Sequence, residues 1–429
     1  MTSTIESPYL SRLAQREQEF GIVPASELTT FGDRVIQYGR FALAMRRPTP
    51  LMRFEAGNGT TIWAKVESAN PFSESHYDRA TLTVLRRLEE EKLLAPGMKI
   101  LEGTSGSAGR SFAYFAHRLG FKLDMIVHQE LPWERRRDMI ALGANLIDAD
   151  RPGGMGEVVN TYRRMLRDFI RQGYRREEFP LEGKGVNIFS KGDEIICAPN
   201  HSEIIITPQA FGNIAQEVIG QLPDAVRIDT FIGTLGNGST VKGISKVLRD
   251  EFGDVRVVGT ETRYAPTNAI KKLRAQFGDD LLREKFMERY GFKMPERDEQ
   301  TYHDSYGSSA PGFEPPFVEV DQIDEIRLLG DEWRQLHGSY NLRSWRNFEN
   351  EDTIGHTSAE NLWVARQIAE ERGGRGRNIL VLFYDRADQY PGWPPEGGRS
   401  LPKRPTGSMY ESVMWDQAKR DEKSNLLVL

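Results

Sequence analysis

Residues 70–79 read Asn-Pro-Phe-Ser-Glu-Ser-His-Tyr-Asp-Arg, and the elements on either side of them indicate how the chain folds. They follow an alternating run at residues 61–66, which is typical of a β-strand. They precede a helical run from Ala80 to Lys92. The stretch is therefore predicted to form a strand-to-helix turn.

From Lys99 onward, short apolar strands alternate with longer helices. Strands are predicted at residues 99–102, 123–128, 145–148, 230–232, 255–260 and 378–383. Helices are predicted at residues 110–119, 133–142, 153–172, 207–222 and 241–252, with another ending at residue 372. One more helix is predicted before this alternation, at residues 8–20. Strands separated by helices of ~10–15 residues indicate crossover connections and hence a parallel sheet. Ligands of such sheets bind beyond the carboxyl ends of the strands.

The composition argues against several classes of protein. The chain has 429 residues, 38% hydrophobic and 28% charged, which is enough for a large core and two domains. A net charge of −5 argues against nucleic-acid binding, and the single cysteine, Cys197, excludes an internal disulfide. Residues 1–20 lack the apolar core of a signal peptide, and no apolar run approaches the length of a membrane span. A cytoplasmic protein without membrane contact is predicted.

Two glycine-rich turns each precede a predicted helix. Residues 104–109 read Thr-Ser-Gly-Ser-Ala-Gly, and residues 236–240 read Gly-Asn-Gly-Ser-Thr. Glycines let a ligand approach the backbone, and N–H groups at a helix N-terminus favour an anion. Each turn is therefore a candidate anion site, with an ordinary turn that holds no ligand as the alternative.

Together these motifs resemble the fold-type II family of pyridoxal-phosphate enzymes, which includes cysteine synthase, cystathionine β-synthase and threonine synthase. The matching segments occur in the family's order, at residues 49–53, 75–79, 104–109, 236–240, 354–359 and 384–390. The resemblance covers residues 49–390 and implies an α/β protein with the two-domain, tryptophan synthase β-like fold. Parallel or mixed sheets flanked by helices are expected.

Within this resemblance, three positions expected to touch the cofactor differ from the family. Tyr77 stands where the family has the lysine that holds the cofactor as a Schiff base, and the Asn-Pro pair lies one residue further upstream than usual. A phenol has no nitrogen to condense with an aldehyde, so no covalently bound cofactor is predicted, while non-covalent pyridoxal phosphate stays possible. Ser107 replaces an asparagine, and Arg386 replaces a serine that lies against the ring nitrogen. A guanidinium cannot accept a hydrogen bond.

The resemblance also implies roles for the two turns. The residues predicted to bind a substrate carboxylate are Thr104, Ser105, Gly106, Ser107 and Gly109. The residues predicted to bind a phosphate or the cofactor are Gly236, Asn237, Gly238, Ser239 and Thr240. The catalytic candidates are Tyr77, Ser107 and Arg386, with Arg386 lowering the pKa of Tyr77 if the two side chains meet. No metal site is predicted.

The predicted organisation has a larger and a smaller α/β domain. The larger comprises residues 48–80 and 186–391, with a loop insertion at about 265–319, and the smaller comprises residues 81–185. Residues 1–47 form an N-terminal extension and residues 392–429 a C-terminal tail. Residues 305–316 are predicted to be a flexible lid or surface loop. Because the family is commonly dimeric, a homodimer is expected.

Three functions are compatible with these residues. The first is a repurposed lyase- or transferase-type enzyme that acts on a small anionic, amino-acid-like or phosphorylated substrate without an imine-bound cofactor. The second is a non-catalytic relative, a pseudoenzyme that serves as a binding or regulatory subunit. The third is a β-substitution enzyme that binds pyridoxal phosphate non-covalently or carries an engineered lysine-to-tyrosine change.

Two further groups of residues are interpreted as structural. Cys197 and His201 are four residues apart, but Pro199 lies between them, so a shared helix face for a metal is not expected. Residues 134–136 match a packing segment of the family, and the run Arg135-Arg136-Arg137 is interpreted as a solvated helix face.

Overall fold

A computed structural model describes most of the chain. The described residues are 7–56, 58–104, 106–181, 185–297, 299–300, 307–311, 313–330, 354–371 and 377–390. Within them the chain forms two sheets of six strands each, flanked by helices. The predicted α/β fold class, with parallel and mixed sheets, is therefore confirmed. The predicted C-terminal tail lies outside the described residues.

The first sheet has the strand order β1-β2-β12-β9-β10-β11. Its strands are β1 (Leu51–Glu55), β2 (Thr61–Val66), β9 (Thr230–Thr234), β10 (Arg256–Thr262), β11 (Glu325–Leu329) and β12 (Asn378–Phe383). All neighbours pair in parallel except β1 and β2. Strands β2 and β9 are buried along their whole length, as expected for parallel strands covered on both faces.

The second sheet has the strand order β5-β4-β3-β8-β7-β6. Its strands are β3 (Lys99–Thr104), β4 (Lys122–Val127), β5 (Asn145–Asp148), β6 (Arg175–Phe179), β7 (Val186–Lys191) and β8 (Glu194–Ala198). Strand β8 pairs with β3 in parallel and with β7 antiparallel. The predicted domain boundary between residues 185 and 186 is therefore wrong, because it separates β6 from its partner β7. The charged, partly exposed β6 gave no apolar pattern to mark it as a strand.

Ten helices surround the two sheets in the described part of the chain. They are α1 (Pro8–Phe20), α2 (Phe31–Ala44), α3 (Tyr77–Glu90), α4 (Ser107–Leu119), α5 (Trp133–Ala141), α6 (Gly154–Arg171), α7 (Ile206–Gln221), α8 (Ser239–Phe252), α9 (Thr267–Tyr290) and α10 (His356–Glu370). Helices α4 and α8 begin a few residues earlier than predicted, inside the two glycine-rich turns. Each turn therefore places its amides at a helix N-terminus.

The core lies on both faces of each sheet. In the first sheet, Phe231 packs with helices α7, α8 and α9, whereas the neighbouring Ile232 packs with α10 on the other face. In the second sheet, Ile100 packs with α4, and Leu101 packs with α6. This alternation follows from the two-residue period of a strand and leaves the carboxyl ends of the strands free to form a site.

The N-terminal extension packs on the core of the chain itself. Tyr9 and Leu13 of α1 are buried in the same cluster as Phe41 of α2. Ser7, which precedes α1, makes no capping bond and donates its hydroxyl to Asp138 at 2.8 Å. Helix α1 is therefore fixed to the smaller domain.

The predicted insertion contains α9 and a segment that is partly described. Residues 307–311 and 313 include the buried Ser309, whose hydroxyl donates to the carbonyl of Leu235 at 2.9 Å. Phe313 is also buried. Those described residues are largely buried and pack against the end of β9, so they are not a fully exposed surface loop, and the lid stays a prediction. In the described residues, no helix is long and apolar enough to cross a membrane.

Candidate active site

A cavity that is partly open to solvent lies where the carboxyl ends of the two sheets meet. We call it the central cavity. Its walls come from the starts of α3, α4 and α8 and from the segment that follows β12. Of the predicted site residues, it brings together Tyr77, Thr104, Ser107, Gly236, Asn237, Gly238 and Thr240. Ser105 lies outside the described residues.

Asp78 fixes the turn that leads into α3. Its carboxylate accepts the N–H groups of Phe72 at 2.9 Å and Ser73 at 2.9 and 3.0 Å. It also accepts the hydroxyl of Ser111 on α4 at 3.0 Å. These bonds hold the chain that precedes Tyr77 in one shape and join α3 to α4.

Arg79 anchors the same turn to the larger domain. Its Nε contacts Glu67 at 2.7 Å, and its Nη1 contacts Glu217 at 2.5 Å. Glu217 also pairs with Nζ of the buried Lys65 at 2.6 Å. These four residues, with Thr49 bonded to Glu67 at 2.7 Å, form a largely buried ion-pair network away from the central cavity.

Tyr77 is the first residue of α3, and its half-buried ring lines the central cavity. The ring meets those of Phe211 and His201 edge to face, with centroids 5.6 and 5.8 Å away. Burial, with smaller contributions from Tyr384 and Asp385, raises the pKa of Tyr77 to about 12. The expectation that Arg386 lowers this pKa is wrong, and Tyr77 keeps its proton at neutral pH.

Arg386 does not line the central cavity. Its Nε lies 3.6 Å from carboxylate oxygens of Glu74 and Asp388. The buried Glu74 also pairs with Arg12 at 2.6 Å and Arg16 at 3.0 Å, both on α1. We call these five residues the Glu74 cluster. The proposed contact of Arg386 with a cofactor ring is therefore corrected, because this side chain neutralises a buried carboxylate.

Glu74 itself has a left-handed backbone, with φ at 55°. A non-glycine residue in this region turns the chain sharply and is held there by its surroundings. The longer spacing between Asn70 and Ser75 falls at this point. The arginines of α1 and the cavity-forming turn are thus connected through Glu74.

The neighbouring Asp385 does line the central cavity. Its carboxylate accepts the hydroxyl of Ser107 at 2.6 Å, the hydroxyl of Tyr390 at 3.0 Å and Nη2 of Arg135 at 3.2 Å. The Arg135 guanidinium also lies 4.4 Å from the centre of the Tyr390 ring. We call these four residues the Asp385 cluster. Ser107, a predicted catalytic and substrate-binding residue, belongs to it.

Arg135 is a site residue that the sequence interpretation missed. It was expected on a solvated helix face, but it is 4% exposed and faces the start of α4. A side chain at Gly106, whose φ is 149°, would place its Cβ 1.6 Å from Nη1 of Arg135. Glycine at this position therefore makes room for a cation beside the α4 N-terminus.

In the first glycine-rich turn, two of the backbone N–H groups are already bonded within the turn itself. The hydroxyl of Thr104 accepts the N–H groups of Gly106 and Gly109, both at 3.0 Å. At Gly109 a Cβ would lie 2.5 Å from the sulfur of Met139 and 2.6 Å from Cγ2 of Thr104. Gly109 is therefore a packing residue, and the amides that follow Gly106 are the ones left for a ligand.

The second turn is organised in a similar way. Asn237 accepts the N–H of Ser239 at 3.0 Å and its hydroxyl at 2.7 Å, and so caps α8. Gly238 has φ at 86°, and a Cβ there would lie 2.7 Å from the backbone that follows Phe317. Thr240, the second residue of α8, lines the central cavity. Thr240 and the amides near it are the remaining donors for an anion.

His76 is a second residue that the motif comparison passed over. It is 6% exposed and lines the central cavity, with Nε2 3.4 Å from the hydroxyl of Thr240. Its ring packs on Phe211 and Tyr384, and burial lowers its pKa to about 4. Its buried Nδ1 has no hydrogen-bond partner among the described residues. An orphaned polar atom beside α8 favours a polar ligand at this place.

His201 also lines the central cavity, although the sequence suggested only a structural role. Its Nδ1 lies 2.7 Å from the carboxylate of Glu102, a buried residue of β3. The described residues contain no group of three His, Cys, Asp or Glu side chains arranged to hold a metal.

The donors of the central cavity fit an anion better than they fit a covalently held pyridoxal phosphate. The helix N-terminus at α8, the hydroxyl of Thr240 and the orphaned His76 nitrogen can take a phosphate. None of the described residues that line the cavity is a lysine. The buried Lys65 is engaged by Glu217 instead. Among the described residues, the cavity therefore offers donors for a phosphate group and no amine for an imine.

Comparison with known proteins agrees with this architecture. The sequence profile described as pyridoxal-phosphate dependent enzyme matches residues 43–310. Cysteine synthase A of Escherichia coli K12 is 25% identical over 353 residues, which cover 80% of this chain and 90% of the relative. Cysteine synthase B of the same organism is 27% identical over 216 residues, 50% of this chain and 62% of the relative.

Solved structures show the same fold. An O-acetylserine dependent cystathionine beta-synthase from Helicobacter pylori superimposes with a TM-score of 0.60 at 21% identity, over 82% of this chain and 96% of that one. A hydrogen sulfide-producing enzyme from Fusobacterium nucleatum gives a TM-score of 0.61 at 19% identity, over 83% and 90% of the two chains.

Proposed function

The chain belongs to the family of pyridoxal-phosphate dependent enzymes, and from this premise we propose that it is a repurposed, cysteine synthase-like enzyme of the lyase or transferase type. Its substrate is a small anion, amino-acid-like or phosphorylated, and no imine with the protein is formed. The observation that carries this proposal is the position of Tyr77. It lines the central cavity between two helix N-termini, where the described residues supply no lysine.

The start of α4 would bind the carboxylate of the substrate. The first N–H groups of a helix have no acceptor within it, and Thr104 accepts those of Gly106 and Gly109. The amides of Ser107 and Ala108 are thus available at the cavity wall. Arg135 adds a positive charge to this end of the cavity, and its hydrogen bond to Asp385 holds the guanidinium in place. This makes Arg135, rather than Arg386, the cation that polarises the substrate.

The start of α8 would bind a phosphate or a second carboxylate. Gly238 allows the turn to pass close to residues 317–318, and Thr240 points its hydroxyl into the region of His76. A helix N-terminus favours negative charge, and a neutral His76 can donate one hydrogen bond from its otherwise unpartnered nitrogen. The two anion sites together favour a substrate with two negatively charged groups.

Tyr77 would act as a proton donor. Because burial raises its pKa to about 12, the phenol is protonated at neutral pH and can give a proton to a departing group. Its phenolate is too costly in this environment to serve as the resting base. A proton donor of this kind needs a matched base that takes a proton from the second reactant.

Pyridoxal phosphate bound without an imine is an alternative supported by the family. It would supply an electron sink for a carbanion. Residues 236–240 and His76 would hold its phosphate. The homodimer expected from the family is likewise a proposal, which light scattering on the purified protein tests directly.

A binding and turnover experiment tests the proposed function. The melting temperature is measured with inorganic phosphate and with O-phospho-L-serine, and product formation from O-phospho-L-serine and O-acetyl-L-serine with thiol or amine acceptors is followed by NMR. The proposal predicts stabilisation by both anions and formation of a substituted product. A Thr240→Val variant is expected to lose the phosphate effect, whereas Thr83→Val, in the middle of α3 and outside the central cavity, keeps it.

The outcomes separate the candidate functions. Stabilisation by the anions without any turnover favours the non-catalytic binding subunit. An absorbance band retained after incubation with pyridoxal phosphate and desalting favours the non-covalent cofactor. If neither anion raises the melting temperature, the anion site itself is wrong, and with it the proposed enzyme.

A further inference from the structure

His201 and Glu102 form a buried pair at one edge of the central cavity. Glu102 lies near the end of β3, and His201 follows β8, the parallel neighbour of β3. The carboxylate of Glu102 lies 2.7 Å from Nδ1 of His201 and accepts the backbone N–H of the same residue at 2.9 Å. It also accepts the N–H of Gly103 at 3.2 Å. Glu102 is 1% exposed and His201 is 3% exposed, so this geometry is held rigidly.

The hydrogen bonds determine which nitrogen of His201 carries its proton. Both oxygens of Glu102 already accept backbone N–H groups, so Nδ1 donates to the carboxylate. In the neutral imidazole the other nitrogen, Nε2, then has a free electron pair. The hydroxyl of Ser202 lies 3.4 Å from Nε2, a long contact. Both His201 and Ser202 line the central cavity.

The position of His201 relative to Tyr77 suits a shared reaction. The two rings meet edge to face with their centroids 5.8 Å apart. Phe112 packs on the imidazole at 5.2 Å and keeps it from turning. Both side chains line the central cavity, next to each other.

We propose that His201, oriented by Glu102, is the base that takes a proton from the nucleophile of the reaction. This inference rests on the proposed function and completes it. The nucleophile belongs to the class of neutral amines, thiols and alcohols. His201 would be a catalytic residue, and Glu102 a positioning residue that acts through it.

The step balances without any further reagent. As the N–H, S–H or O–H bond of the nucleophile breaks, an Nε2–H bond forms, and the freed electron pair makes the new bond to the substrate carbon. The bond from that carbon to the leaving group breaks, and its electron pair departs with the leaving group. Tyr77 protonates this group, and the proton on His201 then returns to the Tyr77 phenolate. Both side chains end in their starting states.

Other candidate bases in the central cavity are less suitable. Asp385 accepts hydrogen bonds from Ser107, Arg135 and Tyr390, so its electron pairs are already engaged. His76 is a weak base, since burial lowers its pKa to about 4, and it has no carboxylate to fix its tautomer among the described residues.

The titratable groups that face the His201–Glu102 pair come from three elements. They are Tyr77 on α3, Tyr162 on α6 and Cys197 on β8. Burial and the charge of Glu102 raise the pKa values of both Tyr162 and Cys197, so neither ionises at neutral pH. Neither of these two side chains therefore competes with His201 for the proton of the nucleophile.

NMR tests the pair without any need for turnover. Protein labelled with ¹⁵N-histidine is compared with the His201→Gln variant to assign the ring signals. At pH 7.5 the inference predicts a protonated Nδ1, an unprotonated Nε2, and a change in the Nε2 signal when O-phospho-L-serine is added. A protonated Nε2, or an Nε2 signal that does not respond to the bound ligand, overturns the inference.

Kinetics provide the second test, with a matched control. His201→Gln is expected to lower kcat by about 100-fold, with a less than twofold change in the affinity for inorganic phosphate. The control is His128→Gln, because His128 is also buried beside a carboxylate, Glu130 at 3.3 Å, but does not line the central cavity. It should keep kcat within twofold. A His201→Gln enzyme that keeps more than a tenth of the wild-type kcat contradicts the inference.

Glu102→Gln distinguishes positioning from a merely structural role. An amide at residue 102 can donate a hydrogen bond to Nδ1, so the tautomer with a protonated Nε2 should appear in the ¹⁵N spectrum, and kcat should fall with it. An unchanged tautomer together with a lower kcat contradicts the assigned role of Glu102. If the wild-type protein shows no turnover at all, the proposed function fails, while the NMR result still decides whether His201 has the predicted tautomer and contacts the ligand.

Discussion

The Glu74 cluster and the Asp385 cluster are each built around a buried carboxylate, but they differ in their partners. Glu74 is surrounded by three arginines, two of which come from α1. Asp385 has one arginine, Arg135, and two hydroxyls. Arginines that pair with a buried carboxylate are fixed in place, whereas hydroxyls can exchange their hydrogen bonds with a ligand. The comparison indicates that the first cluster stabilises the fold and the second serves the site.

The largest expected effect is on stability and belongs to the Glu74 cluster. Glu74→Gln removes the charge that neutralises three neighbouring arginines, so the free energy of unfolding should fall by about 3–5 kcal/mol. Glu90→Gln is the matched control, because Glu90 forms an exposed pair with Arg86 at 2.8 Å and is 48% exposed. That change should cost less than about 0.5 kcal/mol. Urea unfolding measures both variants, and equal losses would remove the distinction between the clusters.

The acid stability of the protein is expected to depend on the same carboxylate. Although burial opposes it, the hydrogen bond from Arg12 and the charges of Arg386, Arg12 and Arg16 lower the pKa of Glu74 from 4.5 to about 2. As the pH falls from 4.5 towards 2, the unfolded chain takes up a proton before the folded chain does, so stability is lost in this window. The lowered pKa of Glu74 contributes about 3 kcal/mol to the free energy of unfolding. The difference in unfolding free energy between wild type and Glu74→Gln should therefore shrink as the pH falls from 5 to 3, and a constant difference contradicts this.

Much of the fold could be predicted because the strand-to-helix turns are marked by short-range patterns. Glycine-rich turns before α4 and α8 were visible in the sequence, and both start a helix at the central cavity. Strands β6, β7 and β8 were not predicted. The charged β6 shows no apolar pattern, and β7 and β8 follow each other without a helix between them, outside the strand–helix alternation on which the prediction relied. Pairing between strands depends on more than one segment of the chain, so no single stretch of sequence shows that β6 and β7 join the sheet next to β8.

The assignment of the two arginines shows where sequence reasoning stops. Arg386 follows Asp385 directly, and adjacent residues of an extended segment point to opposite sides. Asp385 faces the central cavity, so Arg386 faces Glu74. Aligning a motif gives the position of a residue along the chain. It does not show which way the side chain points when a turn contains an extra residue. Arg135 was misplaced because a run of three arginines resembles an exposed helix face.

The Tyr77→Phe variant tests the central cavity, where the expected effect is on turnover and not on stability. The ring is half-buried and its packing is preserved, so stability should change by less than about 0.5 kcal/mol. Turnover should fall by about 100-fold because the proton donor is lost. Steady-state kinetics and urea unfolding of the same preparation measure the two effects. A variant with normal turnover would exclude Tyr77 as the donor.

The smallest expected effect compares the two arginines directly. Arg135→Gln should weaken the binding of an anionic ligand by about tenfold, roughly 1.4 kcal/mol, because a cation beside α4 is lost. Arg386→Gln should leave this affinity within about twofold, although it lowers stability. Isothermal titration with O-phospho-L-serine gives both values. A larger loss in the Arg386 variant would reverse the roles assigned to the two clusters.

Covalent trapping tests the absence of an imine most directly. The protein is incubated with pyridoxal phosphate, reduced with borohydride and digested, and the modified peptides are identified by mass spectrometry. We expect no stoichiometric adduct on any one lysine in the wild type, and an adduct at residue 77 in the Tyr77→Lys variant. One lysine modified completely in the wild type, and protected by O-phospho-L-serine, would contradict the account.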